Sequence, residues 1–346
     1  MNYELPVHPE EATKRLFMAI PKRTKDILEQ RFGLGKNPKR LTLEAIGQKY
    51  GITRERVRQI EADGFNRIRK SPQLAELKEV FVSLENYFEK EGRVIKEDKI
   101  LKTLAPHPKH ENHIYFLLSL HAPFERFHDS DELHERWTYG EEAHDTAKRA
   151  LKGTVEKLRE IGKPVTEPQL FEIISSSAKN AGVVDDSANQ ALLANWLGIS
   201  RLIAKNYFDQ WGLIEFPEIK PRGVRDLSHM VLTRHGKPLH FSAVASGIGK
   251  LIGKPVHTQT VHNELIKDSR FVLVGRGLYA LKDWGYTAGV VKDVISDVLG
   301  KSGPMAKEKI ISAVLKQRFV KPNTVFINLE DKKYFKKLAD GKYSLK

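Results

Sequence analysis

Residues 42–61 read TLEAIGQKYGITRERVRQIE, and the fold of the N-terminal region turns on how they are parsed. Thr42 can cap a short helix running through Tyr50, with Ala45 and Ile46 facing inward. Gly51 permits the sharp turn after it. Thr53 caps the next helix, and Arg56 stands where the acid of a capping box would be. On a 3.6-residue period Val57, Ile60, Gly64 and Ile68 share one face, while Arg54, Glu55, Arg58 and Gln59 share another. Helix, glycine-containing turn, helix is the sequence form of a helix-turn-helix. Upstream, Glu10–Ala19 and Lys22–Phe32 read as helices, stopped by Pro21 and by Gly33 and Gly35.

The polar face of the second helix is costly in isolation, because Arg54 and Arg58 lie four apart and repel. An anionic partner turns that cost into a gain. The four residues lie near the helix start, where a recognition helix meets base edges in the major groove. Arg can grip guanine with two hydrogen bonds, Gln can read adenine and Glu can accept from cytosine. Lys39, Arg40, Thr53 and Arg56 are placed for phosphates, which position a protein without specifying sequence.

Composition agrees. The 346 residues carry a net charge of +14, a field that favours a polyanion such as double-stranded DNA. Residues 1–75 hold 16 basic and 9 acidic side chains, a net of +7, whereas 76–221 carry −6; 222–286 carry +6 and 287–346 carry +7. No window approaches the roughly 18 apolar residues of a spanning helix, and no apolar run follows the first charges, so neither membrane association nor a signal peptide is expected. There is no cysteine, which removes disulfides, thiolate metal sites and cysteine nucleophiles and fits a cytoplasmic location.

The stretch RTKDILEQRFGLGKNPKRLTLEAIGQKYGITRERVRQIEADGFNRIRK, residues 23–70, resembles region four of the primary bacterial sigma factors, most closely in RFGL, LTLEAIG and TRERVRQIEA. The resemblance implies recognition of the upstream promoter hexamer by Arg54, Glu55, Arg58 and Gln59, and docking on the flap of the RNA polymerase beta subunit. The pattern departs at Asp63, Gly64 and Phe65, where the family has a basic residue and small or leucine-like ones; a helical Gly costs about 1 kcal/mol against Ala. No counterpart of the promoter-melting segments is seen, so a complete initiation factor is not expected.

Beyond residue 75 a theme repeats. EKEGRVIKEDKILKTL (89–104), REIGKPVTEPQLFEII (159–174), TRHGKPLHFSAVASGI (233–248) and GKSGPMAKEKIISAVL (300–315) each place basic, glycine-rich punctuation between helices. GLYALK (277–282) and GKYSLK (341–346) end two of the repeats alike, with hairpin turns at 275–277 and at Asp340–Gly341. The expected fold is mainly α: a helix-turn-helix bundle at 1–75, then tandem winged-helix-like modules at 76–142, 145–220, 222–286 and 287–346 with short β-hairpin wings. Within 145–220, ANWLGISRLIAKNYFDQWGLIEF (194–216) scans as helix–Gly–helix, with Ser200 as cap and Leu202, Ile203 and Phe208 inward.

Residues 225–284, through GKPLH, TVHNELIKD and GRGLYAL, resemble the HARE-type winged helix found in the delta subunit of bacterial RNA polymerase and in some chromatin and restriction proteins. The resemblance implies a fold and an association with transcription. By geometry His257, Thr258, Gln259 and His262 on the third helix and Arg276 on the wing are candidate contacts; ordinary polar surface is the alternative.

Other signals fail their tests. His107, His110 and His113 in HPKHENH lack a fixed carboxylate partner, and Pro108 interrupts their helix, so no metal is expected. GIGKLIGKP (247–255) lacks phosphate-loop spacing and reads as a turn. Asp185–Asp186 and Glu141–Glu142 are adjacent residues that point apart. Trp137, Trp196, Trp211 and Trp284 suit core plugs. Without catalytic residues, cofactor or small-molecule substrate, the expected function is that of a sigma region four-like, DNA-binding transcription regulator. The alternative is a delta-like RNA polymerase-associated interaction factor that reads no sequence.

Overall fold

The structure, a computed structural model, describes residues 3–183 and 190–346; Asp185–Asp186 lies outside them. Two compact units emerge, Met1–Lys205 with Asp209–Ile214, and Asn206–Phe208 with Glu215–Lys346. Both are mainly helical, with antiparallel sheets of two or three strands. No helix among the described residues is long and apolar enough to cross a membrane.

The first unit begins with α1 (Pro9–Leu16), a 3-10 turn (Phe17–Ala19), α2 (Lys22–Phe32), α3 (Leu43–Tyr50), α4 (Arg54–Arg69) and α5 (Pro72–Glu76). Helices α2, α3 and α4 close around Ile27, Ile46 and Val57, all fully buried. The opposite sides of α2 and α4 pack against the next stretch of chain: α6 (Lys78–Glu91), β1 (Val94–Lys96), α7 (Glu97–Leu104), α8 (Glu111–Leu120) and the hairpin β2 (Phe124–Phe127)–β3 (Arg136–Tyr139). One core runs through both parts, since Leu28, Phe32 and Ile68 share a buried cluster with Phe88, Phe116 and Trp137. The boundary expected at 75–76 divides two sequence patterns but not two cores. The Phe116 ring on α8 is the wedge, with centroids 5.2 Å from Phe17, 5.3 Å from Phe32 and 5.7 Å from Phe65, all T-shaped, an arrangement that aromatic quadrupoles favour.

Helix α8 also holds the loop between α2 and α3. Asn112 Nδ2 donates to the carbonyls of Gly33 (2.9 Å) and Pro38 (2.7 Å), and its Oδ1 accepts from Arg40 Nε at 2.7 Å. Asn112→Ala removes all three bonds and leaves the buried Gly33 carbonyl and the half-buried Arg40 without that partner. We expect a loss of about 2–3 kcal/mol, seen as a lower urea midpoint at unchanged slope. An unchanged midpoint would show that the loop is held by other contacts.

The unit ends with α9 (Ala143–Ile161), α10 (Glu167–Asn180), α11 (Gln190–Ile199), β4 (Ile203–Lys205) and β5 (Trp211–Leu213). The second helix expected after Ser200 is instead this hairpin, paired Ile203↔Leu213 and Lys205↔Trp211. Turn chemistry overrides the apolar period here. Asn206 Oδ1 accepts from the Phe208 amide at 2.8 Å, and Asp209 takes φ 58, an Asx turn that a helix cannot accommodate.

The second unit contains α12 (Val224–His235), β6 (Leu239–His240), α13 (Phe241–Ile252), α14 (Thr258–Lys267), β7 (Phe271–Gly275) and β8 (Leu278–Leu281). These are followed by α15 (Val291–Ser302), α16 (Lys307–Leu315), α17 (Pro322–Leu329), β9 (Phe335–Lys337) and β10 (Tyr343–Leu345). GIGKLIGKP, expected as a turn, is helical through Ile252, and Gly247 lets α13 approach α12: a Cβ there would stand 2.7 Å from Val231 Cγ1. Trp137 and Trp196 are buried plugs, whereas Trp211 and Trp284 are half-buried.

One device recurs in the four repeated segments. A helix stops at a glycine of positive φ: Gly92 (91°), Gly162 (67°), Gly236 (72°) and Gly303 (70°), a region that side chains with a Cβ avoid. The chain then pairs with the second strand of the hairpin ahead: β1 with β3, Val165 with Trp211, Leu239 with Tyr279, Met305 with Tyr343. The punctuation legible in sequence is therefore a helix stop plus the lone strand or bridge beside each wing.

Candidate nucleic-acid interface

The candidate face is built by two capped helices. Thr42 Oγ1 accepts from the Ala45 amide at 3.1 Å and starts α3; Gly51, at φ 64, ends it, and the Ile52 amide donates to the Gly47 carbonyl at 3.0 Å. Thr53 Oγ1 accepts from the Arg56 amide at 3.1 Å and starts α4. Val57, Gly64 and Ile68 are buried and Ile60 half-buried, so the inward face of α4 runs as its periodicity indicates. This fixes the rotation of the helix, and Arg54, Glu55, Arg56, Arg58 and Gln59 are all exposed.

These exposed side chains pair among themselves. Arg58 binds Glu55 through Nε–Oε2 (2.9 Å) and Nη2–Oε1 (2.6 Å), and Arg56 Nη1 donates to Gln59 Oε1 at 3.1 Å. The hydrogen bond from Arg58 holds the Glu55 carboxyl below its ordinary pKa, and Glu55 in turn raises that of Arg58. Arg54 has no hydrogen-bond partner among the described residues. Solvent-exposed pairs of this kind are weak and readily exchanged for another acceptor. The bidentate fork of Arg58 is thus oriented but not locked.

Of the residues expected at phosphates, Thr53 and Arg56 stand at the start of α4, and Lys39 is exposed in the loop before α3. Thr53 uses its oxygen as the cap and retains its O–H as a donor. Arg40 is half-buried: its guanidinium lies 3.6 Å over the Tyr115 ring and its Nε donates to Asn112. Asn112 and Tyr115, which position this loop, come from about seventy residues downstream and leave no local signal in the sequence.

In the second unit His257 is the N-cap residue of α14, and Thr258 and Gln259 are exposed in its first turn, with Gln259 Nε2 donating to Asn263 Oδ1 at 3.1 Å. Arg276 is exposed in the β7–β8 turn. His262 is half-buried, stacked on Phe241 at 4.3 Å and edge-on to Tyr279 at 5.9 Å.

Comparison with known proteins agrees for the N-terminal segment. Residues 16–70 match the family model "Sigma-70, region 4". The chain is 39% identical over 59 residues to the RNA polymerase sigma factor RpoD of Neisseria gonorrhoeae, covering 17% of this chain and 9% of the relative. It is 41% identical over 68 residues to RpoS of Coxiella burnetii, covering 20% and 18%, and 38% identical over 69 residues to SigA of a Nostoc species, covering 20% and 17%. The chain therefore spans less than a fifth of each of these relatives. No solved structure matches it significantly. Residues 16–70 form a sigma region four-like helix-turn-helix.

Proposed function

We propose that this chain is a DNA-binding transcription regulator, not an enzyme, that reads promoter-type duplex DNA through Arg54, Glu55, Arg58 and Gln59. The observation that carries this is the exposure of all four in the first two turns of α4, whose other face is buried. In a major groove the two arginines would take guanine edges, Gln59 an adenine and Glu55 a cytosine amine. Thr53, Arg56 and Lys39 would take phosphates. We read 76–142, 145–220, 222–286 and 287–346 as winged-helix-like modules, the third HARE-type, with His257, Thr258, Gln259 and Arg276 as its outward candidates. The basic second unit would add phosphate contacts.

Contact with the polymerase beta flap belongs to the same reading. It must use surface other than the apolar side of the helix-turn-helix, which α8 already covers. A second reading, a polymerase-associated factor without base recognition, is favoured by the acidic stretch 76–221 and by the HARE-like segment.

Selection from random duplexes tests the choice. Arg58→Ala should relax preference at one base position by about 1–3 kcal/mol. Arg56→Ala should weaken all duplexes alike and lower the salt slope by about one. An unchanged preferred motif in Arg58→Ala would remove the base-reading role; polymerase capture that survives Arg54→Ala/Arg58→Ala, with no duplex binding, would favour the second reading.

A further inference from the structure

His110 is an anomaly in the first unit. Its ring is 7% exposed, yet neither nitrogen has a hydrogen-bond partner among the described residues: Nδ1 is buried and unpartnered, and Nε2 stands 3.6 Å from Glu10 Oε2. Buried polar atoms normally find partners; Nε2, which faces Glu10, is the atom placed to gain one, whereas Nδ1 stays unpartnered. The His8 ring meets that of His110 edge-on, with centroids 4.5 Å apart. One nitrogen from each ring and one Glu10 oxygen all lie within 4.8 Å of one another.

We propose that His8, Glu10 and His110 bind a divalent transition-metal ion, zinc foremost. Two imidazoles and one carboxylate, with a fourth position left to water, are a donor set that zinc takes. Magnesium and calcium prefer oxygen ligands only. Bonds of about 2.0–2.2 Å place tetrahedral ligands a little over 3 Å apart, so the 3.6 Å pair is nearly set and rotation of the exposed His8 ring completes the closure. Lys14 Nζ holds the other Glu10 oxygen at 2.8 Å and keeps the carboxyl below its ordinary pKa. The ion would tie the first turn of α1 to the 3-10 turn Pro108–His110 that leads into α8. Two segments far apart in sequence, both packed on the core that seats the helix-turn-helix, would then be cross-linked. His107 is a natural control, since it is exposed and its Nδ1 accepts from the Lys109 amide.

Calorimetric titration of the metal-free, full-length chain with zinc chloride tests this. One zinc per chain is expected, with a raised melting temperature. His8→Ala and Glu10→Gln should each weaken binding at least about tenfold, and the double variant should abolish it. His107→Ala should bind as the parent does, and magnesium should not compete. These substitutions lie at exposed or half-buried positions, and circular dichroism of each variant establishes that it is folded. A parent chain that takes up no stoichiometric zinc, or a one-equivalent site that survives in the folded double variant, overturns the assignment.

Discussion

A chain that begins at residue 76 should not fold in its first unit. Deleting the helix-turn-helix is the direct way to ask what it does, but the deletion would strip Leu16, Leu28, Phe32 and Ile68 from the core they share with Phe88, Phe116 and Leu117. Burying one large apolar side chain contributes about 1.5–3 kcal/mol, and a whole domain is stable by only about 5–15 kcal/mol. Four such losses, about 6–12 kcal/mol, are comparable to that whole margin before the newly exposed phenylalanines are considered. The truncated protein should bind a hydrophobic dye, lose its near-ultraviolet circular dichroism and show rapid amide exchange across α6–α8. Arg54→Ala/Arg58→Ala/Gln59→Ala, which touches only exposed positions, should keep all three signatures native and is the better probe of function. A soluble 76–346 fragment with protected α8 amides would show that the two parts are separable after all.

That shared core also explains which features were legible in the sequence and which were not. The helix-turn-helix was legible because its signals are local: Thr42 and Thr53 as caps, Gly51 as the turn, Val57 and Ile68 on one period. The departures at Asp63, Gly64 and Phe65 were visible only as oddities. In the structure Asp63 pairs with Arg67 at 2.7 Å. A Cβ on Gly64 would stand 2.8 Å from Thr24 Cγ2, and Phe65 packs on Phe32 and Phe116. The last two departures lie where α4 meets α2 and α8, and the α8 partner lies some fifty residues further along. The surroundings of Arg40 were hidden for the same reason, since Tyr115 and Asn112, which contact it, lie about seventy residues further along. The histidines follow suit: the rings of His107 and His113 do lie beside His110, but His8 and Glu10, which also approach it, come from far earlier in the chain. Apart from the Asp63–Arg67 pair, which is local, a non-local contact decided the outcome, and no window of sequence contains it.

Gly47→Val should cost about 3 kcal/mol or more and should abolish duplex binding with it, although helix propensity alone favours replacing this glycine. Gly47 lies inside α3, where Gly→Ala ordinarily gains up to about 1 kcal/mol. Here a Cβ would stand 2.6 Å from the Ile52 carbonyl oxygen and 3.4 Å from the Arg54 amide nitrogen. Both are backbone atoms of the turn that delivers α4, and neither can rotate away as a side chain could. Overpacking typically costs about 1–3 kcal/mol, so Gly47→Ala should be net destabilising, and the branched Val, which adds bulk and has a smaller propensity gain to offset it, more so. The strain can be relieved only by moving residues 52–54 off α3. That shift displaces the Thr53 cap and tilts the turn carrying Arg54, Glu55 and Arg58, so binding should fall in the fraction that stays folded. Gly51 is the control. It sits at φ 64 with nothing within 4 Å of where an added methyl would stand, so Gly51→Ala should cost only the left-handed backbone penalty of about 1–2 kcal/mol and leave the close approach of the helices intact. Urea melts and duplex titrations of the three variants separate these effects. If Gly47→Ala were as stable as the parent and bound duplex equally well, the contact between Gly47 and Ile52 would not be what orients the candidate recognition helix.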